Sequence, residues 1–390
     1  MRRGPRDIGK ARVSGAPGIR FIDSAAGFSA LLGELGRPGS LAIDTEAASY
    51  HRYSDRICLL QLSTATVTAV VDTLRVPDLA AFGALLMDPA VESVFHDADY
   101  DLRLLDRDHG VHVAKLFDTR VAAQLLGEPG IGLAALLEKY QGIALDKKFQ
   151  RADWSTRPLE PGMLEYAAAD THTLLPLRDL MERKLRDAGR LEWAEEEFAL
   201  SATVRWGERV PEEAYLKVKG ARLLKPRALA VLRELHLWRE ELAKKLDRAT
   251  FRVMNPEMLL LLAELQPKEV GALKGLRGLS PDQVERRGSE LIEAVARGLA
   301  LPDADLPRFE RTRRPPPDPA FDARLDRLKV VRNIVAERFG LQPGVLCPNG
   351  TLEGVARREP KTVTELLEVE GLRRWQAKEF GAELVAALTA

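Results

Sequence analysis

Up to about residue 200 the apolar positions switch between a period of two and a period near 3.6, the repeats of strand and helix. Ser40–Ala47 (SLAIDTEA), Ile57–Ser63 and Val67–Leu74 are short apolar or alternating runs with turn residues between them. They predict three consecutive strands in a meander, and Val91–His96 predicts a fourth. Asp78–Met87, Asp99–Asp108, Asp118–Leu126 and Leu133–Tyr140 predict helices, several opening on aspartate, a favoured N-cap. Leu159–Arg190 again carries apolar residues at helical spacing. The pattern is that of an α/β domain, a mixed sheet flanked by helices.

Beyond that point the strand pattern stops and a helical repeat begins. Leu235, Arg239, Ala243, Leu259, Pro267, Leu273 and Gly278-Leu279 return, with 93 added to each number and no gap, as Leu328, Arg332, Ala336, Leu352, Pro360, Leu366 and Gly371-Leu372. One small helical domain is therefore present twice. The copies have diverged, since Val331 stands where the first copy has Trp238. Between them, RTRRPPPDP (Arg311–Pro319) predicts a semi-rigid polyproline spacer.

Composition narrows the class without choosing a function. A chain of 390 residues, 45% hydrophobic and 30% charged, fits a protein of about two to four domains. Lysine plus arginine equals aspartate plus glutamate, 58 against 58, so any nucleic-acid surface must be local. No apolar run reaches the ~20 residues that span a bilayer. Cys58 and Cys347 match no zinc spacing and exclude a disulfide framework, which favours a reducing cytoplasm. Residues 1–18, rich in Arg, Gly and Pro, lack the apolar stretch of a secretory signal and predict a disordered tail.

Three segments carry candidate chemistry. In SLAIDTEA, Asp44 and Glu46 stand two apart on a strand and so share a face. Two adjacent anions repel, and a divalent cation removes that penalty. In VFHDADYDL (Val94–Leu102) a strand ends and a helix begins, the usual place for ligands in α/β sheets. There Asp97 or Asp99 can cap the helix, Asp101 can point toward the sheet edge, and His96 reads as a satisfied core histidine. In EYAAAD, Tyr166 and Asp170 stand four apart on one helix face.

Taken together, the acids Asp44, Glu46, Asp101 and Asp170, with Tyr166 one turn before the last, resemble the DEDD family of 3′→5′ exonucleases, tyrosine subclass. The likeness is closest to the ribonuclease D branch. His96-x₄-Asp101-Leu102, Asp118-Thr119, Leu145-Asp146-Lys147, Asp153-Trp154-x₂-Arg157-Pro158-Leu159 and Leu175-Pro176 agree with it. The repeated module resembles the HRDC domain of ribonuclease D and certain helicases. The resemblance implies a ribonuclease H-like exonuclease domain over 19–205, HRDC domains over 222–302 and 321–390, and a Pro-rich linker over 303–320. It implies that Asp44, Glu46, Asp101 and Asp170 ligate two divalent cations, Mg²⁺ or Mn²⁺, with Asp44 bridging, and that Tyr166 orients the attacking water. It further implies single-stranded RNA 3′ ends as substrate, tRNA precursors among them, and no obligate protein partner is evident.

Two such ions make hydroxide from water and stabilise the leaving 3′ oxygen, and hard cations want carboxylate oxygens. Candidate basic contacts for the strand are Lys147, Lys148, Arg151 and Arg157, and, in the first module, Lys225, Arg227, Lys244, Lys245, Arg248 and Arg252. A helicase would need a G-x-x-x-x-G-K-S/T loop, which is missing. A proofreading DNA exonuclease would adjoin a polymerase-sized region. A non-catalytic RNA-binding scaffold would have lost an acid.

Overall fold

Leu41, Ala42 and Ile43 are wholly buried, and the strand they lead into forms the middle of a six-stranded sheet. The computed structural model describes residues 18–207, 211–309 and 318–389. All but the last residue of the expected N-terminal tail, and most of the RTRRPPPDP run, lie outside them. The strands are β1 (Arg20–Ile22), β2 (Ser40–Ala47), β3 (Ile57–Ser63), β4 (Thr68–Asp72), β5 (Glu92–Phe95) and β6 (Leu116–Asp118), ordered β1-β4-β3-β2-β5-β6. β2, β3 and β4 form the antiparallel meander, and β5 and β6 add in parallel. The sheet is mixed, as the alternation predicts. β1 and β6 were not expected, because three residues are too few to show a period.

Helices α1 (Ala25–Leu35), α2 (Ala80–Leu86), α3 (Asp99–His109), α4 (Thr119–Leu125) and α5 (Leu133–Gln141) surround the sheet. The helix expected over Asp78–Met87 starts at Ala80, whose N–H is accepted by the Asp78 side chain. The helical run over Leu159–Arg190 is two helices, α6 (Met163–His172) and α7 (Leu174–Asp187), broken at Thr173, and α8 (Leu191–Ser201) follows. One face of the sheet packs Leu60, Leu62, Val94 and Leu105 into the main core. The other packs Leu59, Val70 and Cys58 against Phe149, Trp154, Ala167 and Ala168. The small alanines let α6 lie close over β3, where Ser63 and Thr171 share a hydroxyl hydrogen bond of 2.8 Å.

The helical repeat is reproduced residue for residue. α9 (Pro226–Leu246), α10 (Thr250–Val253), α11 (Pro256–Leu265) and α12 (Pro281–Ala300) are answered by α13 (Pro319–Phe339), α14 (Pro343–Leu346), α15 (Asn349–Arg358) and α17 (Arg374–Thr389). α16 (Val363–Leu366) matches a 3₁₀ turn at Val270–Leu273. Corresponding buried arginines, Arg239 and Arg332, each donate to a backbone carbonyl, of Met254 and of Cys347. Gly278 and Gly371 both have positive φ, 105° and 83°, the conformation that favours glycine there.

Candidate active site

The strand periodicity places Asp44 and Glu46 on the face covered by α6, opposite Gln61 and Leu59 of β3. β5 stops pairing with β2 at Ala42, so β2 runs on past its neighbour and leaves these acids at an open sheet edge. α6 then delivers Asp170 from above. Carboxylate oxygens of Asp44, Glu46 and Asp170 all lie within 4.8 Å of one another. A cleft of about 440 Å³ opens over them, lined by Asp44, His96, Lys147, Gln150, Tyr166 and Asp170.

Asp101 stands beside this trio rather than within it. It comes from α3, whose Leu102 and Leu105 belong to the core on the opposite face of the sheet. Its carboxylate accepts a hydrogen bond from the hydroxyl of Thr45, the strand residue between the two acids. Neither Asp97 nor Asp99 caps α3, contrary to the sequence expectation. The α3 N-cap, Ala98, has no side-chain cap. Instead Asp118 accepts from the backbone N–H groups of Asp97 and Ala98, at 3.0 and 2.8 Å, while also capping α4. Asp97 pairs with Arg120, and Asp99 pairs with Arg103 at 2.8 Å. His96 sits against the Thr119 hydroxyl at 2.9 Å and burial pulls its pKa down, but it is only partly buried and lines the cleft, unlike the core histidine the sequence suggests.

Burial, followed by the charges of Asp101, Asp170 and Glu46, holds the Asp44 carboxyl well above the usual range. Burial and the charges of Asp170 and Asp101 do the same to Glu46. Burial lifts Asp170 to about 6. It lifts Asp101 to about 7 against the pull of the Thr45 hydrogen bond. Among the described residues no basic side chain pairs with Asp44, Glu46 or Asp170. Clustered, desolvated carboxylates without a cationic partner are a donor set that fits a hard divalent cation. Tyr166 packs between Trp154 and Phe149, each 5.9 Å away, and burial beside the acids raises its phenol, keeping it protonated.

The basic candidates separate by environment. Arg157 is a structural residue: it clasps buried Asp72 through two hydrogen bonds of 2.6 and 2.7 Å and bonds the Cys58 carbonyl, tying the segment before α6 to the sheet. Arg227 is spent on carbonyls at the end of α12 and on Asp303. Lys147, Lys148, Arg151, Lys225, Lys244, Lys245 and Arg248 are exposed. Gln61 was passed over, although it is the polar interruption of the apolar run ICLLQL. It is wholly buried on the Asp44 face, and neither its amide N nor its amide O has a partner among the described residues.

Comparison with known proteins identifies the family. A family model described as 3′-5′ exonuclease matches residues 19–186, and one described as HRDC domain matches twice, at 228–295 and 321–388. Ribonuclease D of Gluconacetobacter diazotrophicus is 33% identical over 97% of this chain and 95% of its own length. Among solved structures, a protein from Bifidobacterium adolescentis superposes with a TM-score of 0.80 at 26% identity, covering 96% of this chain and 98% of that one. Escherichia coli RNase D, described as an exoribonuclease involved in structured RNA processing, superposes at 0.69 with 25% identity, covering 95% and 98%. Near-complete coverage above 30% identity, together with the two kinds of matched domain in their order, places this chain in the ribonuclease D family of 3′-5′ exonucleases with HRDC domains.

Proposed function

We propose that the chain shortens single-stranded RNA from the 3′ end, releasing nucleoside 5′-monophosphates, with Asp44, Glu46, Asp101 and Asp170 holding two divalent cations. As a ribonuclease D family member it is a 3′-5′ exoribonuclease. The observation that carries the site assignment is the trio of carboxylates within 4.8 Å, without a basic partner among the described residues, with Tyr166 in the same cleft wall. Mg²⁺ or Mn²⁺ bound there would supply hydroxide and neutralise charge on the leaving oxygen. The protein's own residues do the rest. Tyr166 keeps its phenolic proton at working pH and so can orient a water by hydrogen bonding. Asp101, whose carboxylate accepts from the Thr45 hydroxyl, would complete the set of acids that holds the ions. Lys147, on the cleft wall, offers positive charge to the incoming phosphate.

The same reading divides the chain into an exonuclease domain over 19–205 and HRDC domains over 222–302 and 321–390, separated by the linker at 303–320, although α13 already begins at Pro319 within that linker. Precursor tRNA 3′ ends are the expected cellular substrate. A cytoplasmic setting is supported by two cysteines that are free and buried. No described helix is long and apolar enough to cross a membrane.

The test is nucleotide release from a 5′-labelled oligoribonucleotide with Mn²⁺. The parent chain should yield a ladder receding from a free 3′ hydroxyl and none from a blocked one. Asp44→Ala should slow release by about a hundredfold or more, as loss of a metal ligand does. Equal release by both proteins would sink the site assignment, and a preference for a matched DNA strand would sink the RNA assignment.

A further inference from the structure

His96 lines the catalytic cleft, yet neither the acid cluster nor the attacking water calls for it. β5 last pairs with β2 through Val94 and Ala42, so His96 and Asp44, each two residues on, stand level with one another. The imidazole is held from behind. Its Nδ1 lies 2.9 Å from the hydroxyl of Thr119, a wholly buried residue at the start of α4. That hydroxyl has a single proton and donates it to the Phe95 carbonyl at 3.2 Å. Toward the ring it can therefore only accept, which puts the imidazole proton on Nδ1 and a lone pair on Nε2. Burial pulls the His96 pKa down and so favours this neutral form. Among the described residues Nε2 has no hydrogen-bond partner, and it is not sealed from solvent. The cleft wall thus carries a neutral acceptor whose direction is set before any substrate arrives. The remaining acceptors on that wall are differently placed: Asp146 accepts from the Lys148 N–H at 2.9 Å, and Gln150 is exposed.

A neutral acceptor needs a donor from the substrate. An enzyme that removes nucleotides in succession meets every base, and uracil has no amino group to offer. The donor that every ribonucleotide carries, and that every deoxyribonucleotide lacks, is the 2′-hydroxyl. We propose that Nε2 of His96 accepts a hydrogen bond from the 2′-hydroxyl of the 3′-terminal nucleotide, so that His96 is the residue favouring RNA over DNA at this site. The proposal rests on the exoribonuclease reading above and names the group that reads the sugar.

The test follows release of the last nucleotide, in Mn²⁺, from 5′-labelled dodecaribonucleotides that differ only at the 2′ position of that nucleotide: hydroxyl, hydrogen or fluorine. Fluorine fills the place of the hydroxyl but cannot donate. For the parent chain we expect kcat/KM to be about tenfold lower on both the deoxy and the fluoro ends, the scale of one hydrogen bond. His96→Phe keeps a ring and loses both nitrogens. Its lost bond to Thr119 acts on every end alike, so the ratio between ends isolates Nε2. That variant should cut all three ends within about twofold of one another. A parent that cuts hydroxyl and fluoro ends equally well overturns the proposal, whether or not the variant folds. A His96→Phe chain that keeps the parental ratio gives His96 a packing role alone and also overturns it. A parent that releases nucleotide from none of the ends removes the exonuclease reading itself, and the proposal with it.

Discussion

Asp44 and Glu46 repel each other from the moment β2 forms, and α6 makes matters worse by adding Asp170. Folding without metal therefore works against these charges, and the cost depends on pH. The folded-state values of about 6 for Asp170 and about 7 for Asp101 lie above the ordinary 3.8, so the folded chain binds protons that the unfolded chain has released. Stability then falls as pH rises through that window. We predict that the thermal midpoint of the metal-free protein climbs as pH drops from 8 to 6, measured by calorimetry; a flat or opposite trend would contradict the shifts. Since Mn²⁺ needs the deprotonated acids, it should raise the midpoint more at pH 8 than at pH 6. Gln61 belongs to this scale too. In an antiparallel pair, opposed side chains lie about 5 Å apart on one face, which sets the orphaned Gln61 amide beside Asp44. Gln61→Leu should lower Mn²⁺ affinity about tenfold, as loss of a group that orients a ligand does, without lowering metal-free stability. Titration calorimetry distinguishes the two effects, and unaltered affinity would leave Gln61 without a role at the site.

Among the elements, the two helical copies show how one local plan meets two surroundings. In the first copy α12 is capped by its own Ser280, with Gln283 completing a capping box. In the second, Arg373 occupies the equivalent position, and the cap comes from another domain. Glu196 of α8 accepts from the backbone N–H groups of Arg374 and Trp375, at 2.8 and 3.0 Å. Trp375, where the first copy has Asp282, stacks on Trp193 at 4.6 Å and 15°. Glu197 adds an ion pair to Arg373 at 3.0 Å. The second copy has exchanged a self-contained helix start for a docking surface, and its apolar core is continuous with that of the exonuclease domain, whereas the first keeps a core of its own. Glu196→Ala should therefore cost about 1–2 kcal/mol of stability, the worth of a helix cap, in denaturant titration. Nucleotide release should be little changed, and a large loss of release would place the second copy in the reaction instead.

For the molecule as a whole, the formal charge of zero conceals a division between a cleft of acids that lack a basic partner among the described residues and a margin of exposed basic residues. What could be read from the sequence was whatever depends on backbone period. Residues two apart on a strand share a face, so Asp44 and Glu46 were legible as a pair. Residues four apart on a helix do as well, so Tyr166 and Asp170 were legible. The offset of 93 settled the duplicated module down to its helix starts. Tertiary structure decided the contacts between distant segments. It gave Arg157 to Asp72 rather than to substrate, turned Asp101 toward Thr45, brought Asp170 to Asp44, and set Phe251 against Tyr50. Local periodicity fixes which way a side chain faces along its own element. Which partner waits there depends on how whole elements pack, and that is a property of the folded chain alone.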